Sequence, residues 1–423
     1  MRFSTLNEWL AWQETLHPSE IELGLERVKK VFNQLHSEKV SFKVITVAGT
    51  NGKGSSVAML ESILLQAGYN VGCYTSPHIM RYNERIHMNG LVIDDDALMN
   101  AFERIDHARA DISLTYFEFA TLAALDIFYG AQLDVVVLEV GLGGRLDAVN
   151  IIDPDISLIT TIDIDHTNWL GNDREAIAKE KAGIMRSQNP VIFSGTEIPN
   201  SIRFIANELM AKLYILDEDY HYSKTESGWS WQDKEKNITA LPMPVLSGSH
   251  QLQNAAGVIK ALKEMEHILP VNNQSIREGL LSINLNGRFQ VIPASLDIAE
   301  QIFDVAHNPN AMEQLAKNLS SRKVKGKTVV VIGMLSDKNY NKALESLLPL
   351  VDTWYCGNLQ TSRGLSAKEL GKSLSTSIDF SRVRVFDSIK MAYQMACKGT
   401  NTDDRIVVTG SFFTVAEVLE QSV

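Results

Sequence analysis

The 423-residue sequence predicts an α/β protein with mainly parallel sheet, built as a large domain followed by a smaller one. Three observations carry this. Short β-branched runs alternate with helical patterns along nearly the whole chain, the pattern of strands joined by covering helices. The rhythm breaks once, at 220–245, and returns. It lapses again around NLNGRFQVIPASLD and restarts at Gln301. Two or three domains are expected at this length, and the boundary is drawn between 1–288 and 289–423.

In chain order, KVITVAG reads as a buried strand, and Ser55–Gly68 as a helix closed by Gly68. NVGCYTS is a second strand. TYFEFATLAALDIFYG has helical spacing and ends at Gly130. LDVVVLEVG and DISLITTID are strands, and DREAIAKEKAGIM opens with the acidic first turn of a helix. Residues 220–245 alternate and carry turn residues, which predicts a small antiparallel excursion. HQLQNAAGVIKALKEM returns to helix, and NLNGRFQVIPASLD reads as a linker. QIFDVA, KTVVVIGM, DTWYCG, RVRVF and DRIVVTG are the strands of the smaller domain.

Composition narrows the function. The chain is 45% hydrophobic and 22% charged, as globular proteins are. A net charge of −11 argues against nonspecific nucleic-acid binding, which needs a basic footprint. Three cysteines, Cys73, Cys356 and Cys397, give no disulfide framework and no metal-type spacing, which fits a reducing compartment. MRFSTLNEWLAW has no signal-peptide pattern, and no apolar run reaches membrane-spanning length. The expectation is a cytoplasmic enzyme or binding protein with small-molecule partners, no nucleic acid and no membrane.

AGTNGKGS, at 48–55, raises the sharper question. It misses the usual phosphate-loop spacing: Val47 stands where the first glycine belongs, and Gly54 separates Lys53 from Ser55. The chemistry still works. Gly49, Gly52 and Gly54 let backbone N–H groups approach phosphate oxygens, a helix N-terminus follows, and Lys53 adds a point charge. A simple tight turn reads the same. Position decides: ligands of open α/β sheets sit beyond the carboxyl ends of strands. There the sequence places this loop, Ser76 and His78 after GCYT, Glu139 after LDVVVL, and Asp163, Asp165 and His166 after SLITTI. Oxygen ligands beside phosphates make a typical Mg²⁺ environment. Singly, Glu139 reads equally as a turn cap, Ser76 as a turn residue before Pro77, His166 as a loop histidine, and Lys181 as a solvated helical lysine.

Together AGTNGKGS, TSPHIMRYNERI, SLTYFEFAT, LEVGLGGRLDAVN, DHTNWLG, EKAGIMR, GRF and DVAHNP resemble the bifunctional dihydrofolate synthase/folylpolyglutamate synthase family of the Mur ligase superfamily. The likeness runs from about Leu6 through IGMLSDKN to TGSFFTVAEVL; only 220–245 carries none of it. It implies a P-loop-type ATPase domain and a smaller Rossmann-like α/β C-terminal domain. It implies an ATP-dependent ligation of L-glutamate to 7,8-dihydropteroate and to the γ-carboxyl of reduced folates, through an acyl phosphate, in folate biosynthesis and one-carbon metabolism. The family's nucleotide positions fall on Thr50, Asn51, Gly52, Lys53, Asn254, Arg288 and Asp304, with His307 close by. Its magnesium ligands, for what is expected to be two ions, fall on Ser76, Glu139 and His166, and its carbamylated lysine on Lys181; Lys181, Glu139 and His166 are thus the expected catalytic set. Its pterin-substrate segments fall on Pro18, Ser19, Glu20 and Ile21, on Thr115, Tyr116, Phe117 and Glu118, and on Leu146, Asp147 and Ala148. The family suggests a monomer.

Three other readings compete. A dinucleotide-binding dehydrogenase fails on spacing, because Gly141, Gly143 and Gly144 do not form G-x-G-x-x-G. A nonenzymatic ATP-binding regulator needs no Glu139, His166 and Lys181 near a γ-phosphate. A cell-wall Mur ligase is disfavoured by SLTYFEFAT and LGLER.

Overall fold

The computed structural model describes residues 2–295 and 297–420. Contacts gather the chain into two compact units. The first holds the chain up to His78, Tyr82–Val245 and Leu252–Ile283; the second holds Ile79–Arg81, Leu246–Gln251 and the chain from Asn284 onward.

The first unit opens with α1 (Leu6–Thr15) and α2 (Glu26–Leu35), which the sequence reading had not resolved. Thr5 and Glu8 start α1 with a reciprocal capping box. An eight-stranded sheet follows: β1 (Lys43–Ala48), β2 (Val71–Tyr74), β3 (Ile86–Met88), β4 (Leu91–Val92), β5 (Val135–Glu139), β6 (Ile156–Ile159), β7 (Pro190–Phe193) and β8 (Lys212–Ile215). Its order is β4-β3-β2-β5-β1-β6-β7-β8. From β2 to β8 every pairing is parallel; at the other edge β3, absent from the sequence reading together with β4, pairs antiparallel with both β2 and β4. Val44, Ile45, Thr46, Val47 and Ala48 are all buried, so both faces of β1 are covered, the usual state of a parallel sheet. One face packs on a core with Trp9, Val28, Phe102 and Phe119 from α1, α2, α4 (Asp95–Arg109) and α5 (Tyr116–Tyr129). Helix α3 (Lys53–Gln66) begins two residues before the expected Ser55, because Gly52 turns at φ 92°.

Three further helices, α6 (Thr167–Leu170), α7 (Arg174–Ala182) and α8 (Asn200–Glu208), lie between β6 and β8 in sequence. The excursion at 220–245 is a three-stranded antiparallel sheet of β9 (Tyr220–Thr225), β10 (Gly228–Asp233) and β11 (Asn237–Leu241). Trp231 of β10 is buried and donates its indole N–H to the Ala256 carbonyl, 3.1 Å away, on α9 (Ser249–Glu264). α10 (Asn273–Leu281) crosses α3 at Gly279, where an added Cβ would sit 2.6 Å from the Ile63 Cα.

The second unit has a six-stranded sheet ordered β12-β13-β17-β14-β15-β16. Its strands are β12 (Gln290–Ile292), β13 (Glu300–Phe303), β14 (Thr328–Ile332), β15 (Thr353–Gly357), β16 (Val383–Phe386) and β17 (Arg405–Thr409), interleaved with α11 (Pro309–Ser321), α12 (Tyr340–Leu344), α13 (Ala367–Leu374), α14 (Ile389–Lys398) and α15 (Phe412–Leu419). All pairings are parallel except β12 with β13. The stretch read as a linker therefore contains an edge strand: three residues are too short a run to show a period. No helix among the described residues is long and apolar enough to cross a membrane.

Candidate active site

The switch in sheet order lies at β1, flanked by β5 and β6. The crevice beyond these carboxyl ends is where an open α/β sheet takes its ligand, and the glycine loop fills it. Gly49 has φ 152°, and a Cβ there would stand 1.8 Å from Thr160 Oγ1. Thr160 donates to the carbonyls of Asn51 (2.8 Å) and Ala48 (3.2 Å), tying the loop to the end of β6. Thr50 donates its N–H to the Thr161 carbonyl, and its hydroxyl both donates to the Asp163 carbonyl and accepts from the Asp163 N–H. Gly52 caps α3, and a Cβ on it would come within 2.6 Å of Asn254 Oδ1. Asn254, some 200 residues away in sequence, thus lies directly against the loop. Lys53 curls back to donate to the carbonyls of Gly49 (3.0 Å) and Thr50 (3.3 Å).

Glu139 ends β5 opposite Val47 and is buried. Its Oε2 accepts from the Ser76 N–H at 3.4 Å. A hydroxyl-bearing residue and a carboxylate therefore sit side by side at the rim of the loop. His166 takes a left-handed conformation (φ 52°) before the single turn of α6, and its Nε2 lies 4.0 Å from Asp165 Oδ2. Among the described residues no three His, Cys, Asp or Glu side chains gather into a cage for an ion. A hard cation that keeps water and substrate phosphate oxygens needs only one or two carboxylates from the protein. The hydroxyl–carboxylate pair of Ser76 and Glu139 fits such an ion.

Lys181 is not the solvated lysine its EKAG setting suggested. It is 4% exposed, and its Nζ donates to the Gly49 carbonyl at 2.8 Å. Burial pulls its pKa down to about 7, helped by the charge of Lys53, with Asp165 and Asp147 opposing. An amine in that range is a nucleophile near neutral pH.

Two of the three expected acceptor segments, the start of α5 and the turn through Asp147, lie together. Thr115 caps α5 in a reciprocal box with Glu118, whose buried carboxylate also takes 2.9 Å from Arg27. Those two residues build the helix start, leaving half-buried Tyr116 and Phe117 as its aromatic surface. The Phe117 ring lies against the Gly141 backbone, where a Cβ would approach within 2.6 Å. Asp147 is buried, and its carboxylate accepts backbone N–H groups of Leu142 (2.8 Å) and Val149 (3.1 Å). It shapes the 142–149 turn, and burial raises its pKa to about 6. Leu146 holds the amino-terminal segment by accepting from the Gly24 N–H at 3.2 Å, and Ala148 is buried. Pro18, Ser19 and Glu20 are exposed and Ile21 is half-buried.

In the second unit, Asp304 is buried and accepts from the N–H groups of Phe289 (2.9 Å) and Ala306 (2.8 Å). Burial raises its pKa, while Arg288 and His307 pull the other way. The Arg288 guanidinium lies 5.1 Å over the Phe412 ring, with the His307 ring 6.1 Å from the same ring. Sequence reasoning missed His250, whose buried imidazole is pushed down to about 4 by burial and by Arg288. It also missed Arg85. The signal for both was thin: a lone histidine in GSHQ and an arginine in YNERI.

Phosphate loop, switch-point carboxylate, buried lysine and a second parallel α/β unit together define a nucleotide-dependent ligase of the Mur type. Residues 47–262 match the Mur ligase middle domain and 287–412 the Mur ligase, glutamate ligase domain. The chain is 44% identical, over 99% of its length and 95% of the relative's, to the dihydrofolate synthase/folylpolyglutamate synthase of Escherichia coli K12. Its fold matches the E. coli FolC complex with DHPP and ADP at a TM-score of 0.93, covering 99% of this chain and 98% of that one at 44% identity. A bifunctional folylpolyglutamate synthase/dihydrofolate synthase with Mn, AMPPNP and L-glutamate bound matches at 0.91, with 44% identity and the same coverage. The chain belongs to the dihydrofolate synthase/folylpolyglutamate synthase family.

Proposed function

We propose that this site joins L-glutamate to 7,8-dihydropteroate and to the γ-carboxyl of reduced folates, with ATP cleaved to ADP and phosphate. The observation that supports it most directly is the meeting of Lys53 and Lys181 at the Gly49 carbonyl beside the Ser76–Glu139 pair. A carboxylate does not condense with an amine until its oxygen becomes a leaving group. The acceptor carboxylate attacks the γ-phosphate, ADP departs, and the acyl phosphate is taken by the glutamate amine with loss of phosphate. Such chemistry is mostly positioning and charge screening. Asn51, Gly52 and Lys53 hold the phosphates through N–H groups and one ammonium, with Thr50 fixing the loop through Thr161 and Asp163 and Asn254 against it. In the second unit Arg288 and Asp304 are the proposed nucleotide contacts. Pro18–Ile21, Tyr116, Phe117 and the turn of Leu146, Asp147 and Ala148 receive the pterin-bearing acceptor.

Ser76, Glu139 and His166 would hold magnesium. When bound, the ion screens charge on the transferring phosphoryl group. Lys181, with its pKa near 7, is the residue to carry a carbamate: its neutral amine adds CO₂, releases a proton, and turns a buried cation into an anion. The first unit is proposed as the ATP-binding domain and the second as the ligase domain, in a cytoplasmic monomer. The deciding experiment measures ADP release with 7,8-dihydropteroate, L-glutamate and Mg²⁺ each omitted in turn. Turnover requires all three; ADP release indifferent to the pterin acid would overturn the reading.

A further inference from the structure

Residues 16–25, between α1 and α2, form neither helix nor strand. Ordering such a segment costs backbone entropy at every residue, yet this one is tied down along its length. The His17 side chain is only 5% exposed. Its Nδ1 lies 3.1 Å from the Ser19 nitrogen and 3.0 Å from the Ser19 carbonyl oxygen, and its Nε2 lies 3.3 Å from Glu22 Oε2. Glu22 also accepts from Arg27, through its carboxylate and, at 3.1 Å, through its carbonyl. Arg27 donates onward to Glu118 at 2.9 Å, and the other oxygen of Glu118 accepts from the Thr115 N–H at 2.7 Å. Gly24 donates separately to the Leu146 carbonyl at 3.2 Å.

Helix stability alone does not account for Arg27. It stands in the first turn of α2, where the helix end favours anions and disfavours a cation. What it gains there is two carboxylates, half-exposed Glu22 and buried Glu118. The planar fork of a guanidinium serves two such partners at once, which the point charge of a lysine does less well. His17 faces a carboxylate at Nε2, which keeps a proton on that nitrogen, so the ring donates to Glu22 while Nδ1 closes the turn at Ser19. The result is one unbroken run of polar contacts, Ser19–His17–Glu22–Arg27–Glu118–Thr115. It begins within Pro18–Ile21 and ends at the start of α5, directly before Tyr116 and Phe117. Gly24 adds a link to the turn of Leu146, Asp147 and Ala148. These are the three segments proposed to receive the acceptor.

We propose that Arg27 and His17 are positioning residues for the pterin-bearing acceptor: without touching it, they hold the 16–25 segment to the other two acceptor segments, so that the acceptor meets a preformed surface. This rests on the ligase reading given above. A segment that is in place only part of the time lowers the apparent affinity by that fraction. An acceptor that must order the segment itself loses binding free energy to the ordering. The glycine loop and its contact with Asn254 stand outside this run of bonds, so nucleotide affinity does not depend on it.

The test is equilibrium binding of 7,8-dihydropteroate and of ADP to the full chain, with amide hydrogen exchange of residues 16–25 followed in parallel. Arg27→Gln should weaken 7,8-dihydropteroate by roughly 5- to 30-fold. Its KM should rise by a like factor, with kcat at saturating acceptor and ADP affinity held, and Arg27→Lys should recover part of the loss. Exchange in 16–25 should quicken in the free variant and return to the wild-type rate once acceptor saturates it. Unchanged acceptor affinity alongside faster exchange would overturn the proposal. So would equal losses for acceptor and ADP, the mark of a general structural role. Should Arg27→Gln not fold, His17→Ala cuts the same run at its loop end and must show the acceptor-specific loss; acceptor affinity equal to wild type there also overturns it. Wild-type protein that binds no 7,8-dihydropteroate would instead defeat the ligase reading, whereas wild-type binding with both variants unaffected defeats this inference alone.

Discussion

Lys53 and Lys181 donate to one oxygen, the Gly49 carbonyl, at 3.0 and 2.8 Å. Burial pushes the Lys181 ammonium down to about 7, and the neighbouring Lys53 charge adds to the shift. The unfolded chain binds that proton up to about pH 10.5 and the folded chain only up to about 7. Stability is therefore lowest, in this respect, below pH 7, and rises between the two values. Lys181→Met should gain stability over the wild type, by on the order of a few kcal/mol below pH 7, with the gain fading toward pH 10. Denaturant unfolding across that range measures it. The same variant should lose ligase turnover, and wild-type activity should fall in CO₂-depleted buffer and recover with bicarbonate.

Removing the Glu139 carboxylate should cost at least about a hundredfold in turnover. Glu139→Ala should retain the wild-type circular dichroism, since the side chain closes a strand end rather than filling the apolar core. Turnover at ordinary magnesium indistinguishable from wild type would remove Glu139 from the metal site.

Gly49→Ala pushes a methyl group to within 1.8 Å of Thr160 Oγ1 in a backbone conformation that favours glycine. ADP affinity should drop by an order of magnitude or more. Adding Thr160→Ala should restore only part of it, because Thr160 also holds the Asn51 carbonyl. Calorimetric titration of the single and double variants separates crowding from lost tethering.

Glu118→Ala takes one of two carboxylates from Arg27, which keeps Glu22, and leaves the Thr115 N–H without an acceptor. A loss of roughly 1–2 kcal/mol is expected, read as a lower Tm. The KM for the pterin acceptor should rise while that for ATP holds, because the loss reaches substrate only through the start of α5.

Strands β1, β2, β5, β6 and β13 to β17, the glycine loop and the antiparallel excursion were legible because their signals are local: β-branched runs, glycines before a helix, alternation with turn residues. The burial of Lys181 was not, since a lysine in EKAG reads as solvent-facing until the loop after β1 is folded over it. The carboxylates of Glu118 and Asp147 also accept backbone N–H groups, a use that only the turn geometry reveals. Asn254 came from resemblance alone, because its contact with Gly52 spans two hundred residues. β12 escaped as a three-residue edge strand whose partner lies beyond a turn.

The small sheet of β9, β10 and β11 shares nothing with the motifs that mark the family, which makes it look like a disposable ornament. The indole of Trp231 says otherwise, since it grips α9 at Ala256, two positions beyond the Asn254 that lies against the phosphate loop. An engineer trimming the chain to a minimal enzyme by splicing β8 straight into α9 would cut away the brace of the helix that sets Asn254 against the glycine loop.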